Sequence, residues 1–147
     1  MKALSKWMLL AVVLPVSAFA LAPPKESCAN IKWNQRFLRE YPKAPVACRE
    51  VIVKGGVKYA KFEGVVSKVH SHVVVVEISN VAGTPISKIG FDVGTGGRIT
   101  LDGTTKKVKD LRVGDRLSLW VREDQFGISP TLTERPLRIV KPTAMPK

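Results

Sequence analysis

The chain has 147 residues, with 24 Lys and Arg against 12 Asp and Glu, a formal net charge of +12. That length makes one domain, able to bury a core without a metal or a dense disulfide framework. Two cysteines and two histidines leave little material for metal or nucleophile chemistry. So basic a surface attracts polyanions, although charge scattered along a whole chain also serves plain solubility.

In chain order, Met1–Lys6 carries Lys2 and Lys6, Trp7–Val16 is an almost unbroken apolar run, and Ser17–Ala22 ends in small residues. A basic start, a short apolar stretch and an A-x-A-type cleavage site make residues 1–22 a secretory signal peptide. Its removal leaves about 125 residues with a charge of about +10, in a periplasmic or secreted setting that is oxidising enough for Cys28 and Cys48 to pair. The mature chain then has no membrane span. An uncleaved anchor fits less well, because the run is shorter than the ~20 residues of a spanning helix and Pro15 interrupts it. A lipid-modified cysteine fits less well still, since the charged Lys25-Glu26 stands just before Ser27 and Cys28.

Residues 23–48 form a leading helical segment. After a short Pro23-Pro24 linker, Ser27 reads as an N-cap and Cys28 to Tyr41 as one helix. Trp33, Phe37 and Tyr41 recur every fourth residue, with Ile31 and Leu38 beside them, and Lys32, Arg36 and Arg39 take the other face. Pro42 stops the helix, and Pro45-Val46-Ala47 reads as extended. A Cys28–Cys48 disulfide ties the helix start to the first strand and contributes about 3 kcal/mol. The pair is too widely spaced for a C-x-x-C redox motif.

From Arg49 the period changes to two. Val51–Val53 is a short strand and Gly55-Gly56 a turn. Ala60, Phe62, Gly64 and Val66 make one apolar face, with Gly64 the place for a bulge or a sharp coil. A turn near His70-Ser71 leads to Val74, Val76 and Ile78, where Val73 and Val75 make the strand apolar on both sides. Asn80–Pro85 is a loop. Ile89, Phe91 and Val93, then Ile99 and Leu101, continue the inner set, and Asp102-Gly103 signals a hairpin. Val108 and Leu111 are the apolar residues of the next connection. Leu117, Leu119 and Val121 alternate with Ser118, Trp120 and Arg122. Residues 125–136 read as loop, with local pairing open to Leu132 and Thr133, Leu137–Lys141 as a last strand and 142–147 as a tail. Residues 49–141 therefore predict an all-β domain of six to seven short strands, a small OB-like or SH3-like barrel with one N-terminal α-helix. An immunoglobulin-type sandwich is disfavoured because the cysteines do not flank a tryptophan on separate strands.

Phe62-Glu63-Gly64-Val65-Val66, Thr100–Thr104 and Asp110–Leu117 resemble the turn-and-strand pattern of uncharacterised exported β-barrel (OB-like) domain proteins of Gram-negative bacteria. Trp33–Pro42 and Cys48–Val51 resemble the leading stretch of such proteins. The resemblance spans Ala29 to Val121 and implies a small periplasmic β-barrel. It assigns no catalytic or binding residue.

Where chemistry could reside is soon told. Lys106, Lys107, Lys109, Arg112 and Arg116, with Trp120 and Arg122, are the candidate ligand-binding residues. An outward Trp120 between arginines could stack a base or a sugar. The competing reading packs Trp120 under the helix against Trp33 and Phe37. His70 and His72 are the candidate metal ligands, since alternate residues of a strand share a face, with Glu63 or Glu77 as the third; the competing reading is a polar hairpin turn. Gly94-Thr95-Gly96-Gly97 lacks the helix that a phosphate-cradling loop needs. Asp92, Asp102, Asp110 and Asp115 read as turn aspartates, and no G-x-S-x-G is present. These features point to a non-enzymatic binding or accessory module of the bacterial envelope, with no cofactor, whose ligand is an envelope protein or a polyanion such as lipopolysaccharide, acidic glycan or nucleic acid. The alternative is a small metal-dependent enzyme using His70 and His72.

Overall fold

The computed structural model describes residues 25–101, 103–132 and 135–142. The signal peptide predicted at 1–22 lies outside the described residues, as do Asp102, Thr133 and most of the tail. The leading segment gives β1 (Lys25–Glu26), a 3₁₀ turn at Cys28–Asn30, α1 (Gln35–Glu40) and α2 (Ala44–Ala47). Then come β2 (Glu50–Lys54), β3 (Val57–His70), β4 (Val73–Ser79), β5 (Pro85–Asp92), β6 (Arg98–Leu101), β7 (Thr104–Lys107), β8 (Arg116–Arg122) and β9 (Arg138–Val140).

The single helix expected over residues 28–41 is divided. Ser27 does cap, through Ala29 N–H at 3.2 Å, but it caps only the 3₁₀ turn. Ile31 is extended, and Asn34 Oδ1 accepts from Arg36 N–H (3.0 Å) and Phe37 N–H (3.2 Å), which restarts the chain as α1. Asparagine satisfies the orphan N–H groups of a first turn well, so a helix begins there. Pro45, expected in an extended stretch, sits in the first turn of α2, where its missing N–H costs nothing. The aromatic spacing still delivers its rings to one place. Trp33 stacks on Phe37 at 6.1 Å, and both meet Phe62 of β3, at 5.9 and 6.2 Å. The Cys28–Cys48 disulfide forms, with its Cα atoms 6.1 Å apart, and joins the 3₁₀ turn to the end of α2.

β3 organises the sheet. Its first half pairs with β2 and its second half with β4, while Tyr59–Val65 also pairs with β8. Lys61 bonds to β2 and β8, and Gly64 to β4 and β8, so β2 and β4 succeed one another along one edge and β8 lines the other. Gly64 stands at the changeover. A Cβ there would lie 2.8 Å from Glu77 O and would overlap Val76 Cγ1, so only glycine lets β4 approach. The bulge itself falls three residues on, at a register shift between Val66 and Lys68.

The sheet continues β3-β4-β5-β9, and β6 and β7 form a separate hairpin. All elements being antiparallel strands and short helical turns, the all-β class holds. The strands are not closed into a barrel by continuous pairing. Between β8 and β9, among the described residues, there are two isolated bridges, Trp120↔Ser129 and Ile128↔Leu137. Pro130 and Pro136 flank them and have no N–H to extend either into a ladder. The core is the inner face foreseen from the period of two: Phe62, Val66, Val74, Val76, Ile78, Ile89, Phe91, Ile99 and Leu119 are fully buried, with Phe37 from α1. Val75 is buried as well, so β4 is covered on its second face at that point. Among the described residues no helix is long and apolar enough to cross a membrane.

Two substitutions check this account. Gly64→Ala should lower the stability read from urea denaturation by about 1–3 kcal/mol, the cost of forcing an atom into a packed core. Replacing Cys28 and Cys48 together by serine should cost about 3 kcal/mol, set by the length of the loop they close.

Candidate anion-binding site

Most lysines and arginines of the sheet face have acidic partners. Glu50 lies between Lys25 (3.3 Å) and Lys61 (3.5 Å), Lys58 reaches Glu26 at 2.8 Å, and Arg122 holds Asp124 through two nitrogens at 2.8 and 2.7 Å. A different arrangement occurs where the β3–β4 turn, the β5–β6 loop and the end of β7 meet.

The loop is built by backbone contacts. Val93 N–H donates to His72 O (2.9 Å), Gly97 N–H to Gly94 O (3.1 Å) and Val108 N–H to Gly97 O (3.2 Å). Gly94 and Gly96 have φ of 78° and 73°, left-handed values that side chains disfavour. Asp92 anchors the loop: its carboxylate accepts from Gly94 N–H at 2.8 Å, pairs with Arg138 at 3.0 Å and lies 3.6 Å from His72 Nε2. Partial burial pushes the Asp92 carboxyl up, but the Gly94 N–H, Arg138 and His72 together outweigh it and hold it below the usual carboxylate range.

This framework surrounds a depression of about 550 Å³ lined by His72, Arg98, Lys107 and Lys109, and among the described residues no carboxylate lines it. Arg98 and Lys107 are register partners across the β6–β7 hairpin. Like charges directly opposite in a sheet repel and destabilise the pair. Neither these two nor Lys109 has an ion-pair partner among the described residues. Three unneutralised cations at a glycine turn can receive the phosphate, sulfate or carboxylate of an anionic ligand by charge-assisted hydrogen bonds. As the sequence indicated, a strand and not a helix follows the glycines, so side-chain cations rather than a helix dipole supply the attraction.

The other sequence-derived candidates are dispersed. Lys106 points to the opposite side of β7, 4.0 Å from Asp115, which also accepts from Arg112 N–H at 3.0 Å. Arg116 lines a second depression with Arg49 and Glu63. Arg122 lines a third, of about 650 Å³, with Tyr59 and Phe126. Trp120 alternates with the buried Leu119 and Val121, on the outer face of β8, and Lys61 Nζ sits 5.8 Å from its ring centroid. The aromatic cluster under the leading segment is Trp33, Phe37, Tyr41 and Phe62 instead. His70 ends β3, Ser71 has φ of 54°, and His72 belongs to the turn, with Ser71 Oγ 3.1 Å from its Nδ1. Glu63 faces Arg49 and Glu77 faces Lys88. No three His, Cys, Asp or Glu come together to hold a metal among the described residues. Sequence reading missed Arg98; the signal available was its place opposite Lys107 in the hairpin that Asp102-Gly103 announces.

No protein-family model, curated protein or solved structure matches the chain.

The Asp92 anchor yields a pH prediction. Its carboxyl is held below the unfolded value near 3.9, so its stabilisation is fully present above that value and is lost as pH falls through the folded one. Asp92→Asn should therefore lower the urea midpoint at pH 7 and lower it by less at about pH 3, where the stabilisation has begun to be lost. An equal deficit at both pH values would mean that Asp92 does not act through its charge.

Proposed function

We propose that the protein is a non-enzymatic, exported binding module of the bacterial envelope that captures polyanions at the Arg98–Lys107–Lys109 depression. The observation that carries this reading is the unrelieved like-charge pair Arg98↔Lys107 beside Lys109, around a concave surface with no acidic lining among the described residues. A fold that tolerates repulsion where one threonine would remove it has a use for the charge. Long-range attraction by the basic chain concentrates the anion, and the three cations then contact its oxygens. Lipopolysaccharide phosphates, acidic glycans and nucleic acid share that chemistry, and export would place the first two within reach.

The OB-like reading of the sheet is part of the proposal. It rests on the long β3, which passes from one partner to the next, on the β3-β4-β5-β9 order with β8 returning to β3, and on the two bridges that point towards closure. In OB folds the loop between the first two barrel strands takes part in ligand binding. Here that loop is Ser71-His72, which lines the depression.

The test uses the mature, disulfide-bonded protein titrated with a single-stranded oligonucleotide, lipopolysaccharide and an acidic glycan at low and physiological salt. Saturable binding to at least one of them is expected, weakened about tenfold or more in the Lys107→Glu, Lys109→Glu double variant. An affinity unchanged in that variant would contradict the proposal and turn the search to a protein partner. A companion outcome follows from the repulsion: Lys107→Thr should raise the urea midpoint while weakening polyanion binding.

A further inference from the structure

The edge of β3 is left open between β2 and β4. The last β2 pair is Glu50↔Lys61 and the nearest β4 pair is Ile78↔Gly64, so Phe62 and Glu63 have no strand partner on that side. Arg49 stands at the opening. Its N–H donates to Lys61 O at 2.8 Å, and its neighbour Cys48 is fixed by the disulfide. Only 19 % of its side chain is exposed, and Nε is fully buried without a hydrogen-bond partner among the described residues. Its closest acidic group is Glu63, whose Oε2 lies 3.9 Å from Nη2, beyond hydrogen-bond range, on a side chain that is half exposed. A buried donor on a charged group carries its whole desolvation cost when nothing accepts from it, so such groups are rarely left unsatisfied.

Beside Arg49 is a depression of about 380 Å³ that Arg116, Ser79 and Ser118 also line, with Glu63 at its side. Arg116 has no ion-pair partner among the described residues. Two guanidinium groups and two hydroxyls against one carboxylate leave the depression net positive. The planar guanidinium of an arginine offers several N–H donors to an oxyanion in charge-assisted hydrogen bonds.

We infer that this opening is a second, separate anion site, in which Arg49, through its Nη groups, and Arg116 hold one oxyanion, a carboxylate or a phosphate, whose charge offsets that of the poorly partnered Arg49 guanidinium. The site does not depend on the polyanion reading. It is small, it is formed by arginines rather than lysines, and it recognises one anionic group rather than a chain of them.

The Nε–H cross-peak of Arg49 in a nitrogen-15 spectrum reports on the guanidinium that would hold the anion. The mature, oxidised protein is titrated with inorganic phosphate and, separately, with acetate at constant ionic strength. A saturable downfield shift with either is expected, and the one that binds tighter assigns the ligand class. Arg116→Gln should weaken binding about fivefold or more, the loss of one charged contact. Glu63→Gln should tighten it by removing the competing carboxylate, and Lys107→Glu should leave it unchanged, which separates this site from the first. A cross-peak that moves with neither anion, or that moves alike in wild type and Arg116→Gln, would overturn the proposal.

Discussion

One strand, β3, has to serve three neighbours, and the rest of the molecule follows from how it does so. Fourteen residues in a row are too long for any one partner here. Its first half is completed by β2, its second by β4, and its other edge by β8. Gly64 lets β4 close in where the partner changes because a Cβ would strike the β4 backbone. Phe62, just before the changeover, faces inward by alternation, where Trp33 and Phe37 of the leading segment cover it. The changeover also leaves the short unpaired stretch at which Arg49 lies, and β3 runs on to the turn that lines the Lys107 depression.

Charge is distributed with the same economy of position. On β1, β3 and β8, Lys25, Lys58, Lys61 and Arg122 are partnered by Glu50, Glu26 or Asp124, and Arg36 of α1 lies 4.1 Å from the Phe126 centroid. Exposed pairs of this kind contribute little to stability, typically under about 1 kcal/mol each. Other cations, Arg116 among them, have no acidic partner among the described residues, and at Arg98, Lys107 and Lys109 three of them line one depression.

Much of the sheet was legible in the sequence because alternation is a local property. The inner residues Val74, Val76, Ile78, Ile89, Ile99, Leu117 and Leu119 are all buried as their period indicated, and Gly55-Gly56 and His70-Ser71 mark real turns. The leading helix was misjudged for a reason equally local: of the three rings spaced by four, Trp33 lies in the irregular stretch before α1, Phe37 within it and Tyr41 at its C-cap, and Asn34, a strong cap, overrides the longer periodicity. What lay out of reach was set by pairing. Whether β8 and β9 join depends on Ile128 and Ser129 meeting distant strands between two prolines. The run Lys106–Arg122 looked like one basic face, yet alternation in β7 sends Lys106 and Lys107 to opposite sides, and the Arg98 that completes the site comes from the facing strand.

The proposal places anion capture at the end of the sheet and not at Trp120. The direct measurement is amide chemical-shift mapping of the mature, oxidised protein with a short phosphate-bearing polyanion. The account predicts shifts centred on Ser71, His72, residues 94–98 and Lys107–Lys109, with residues 118–122 unmoved. Shifts centred on Trp120 and Arg122, with the glycine turn silent, would contradict it.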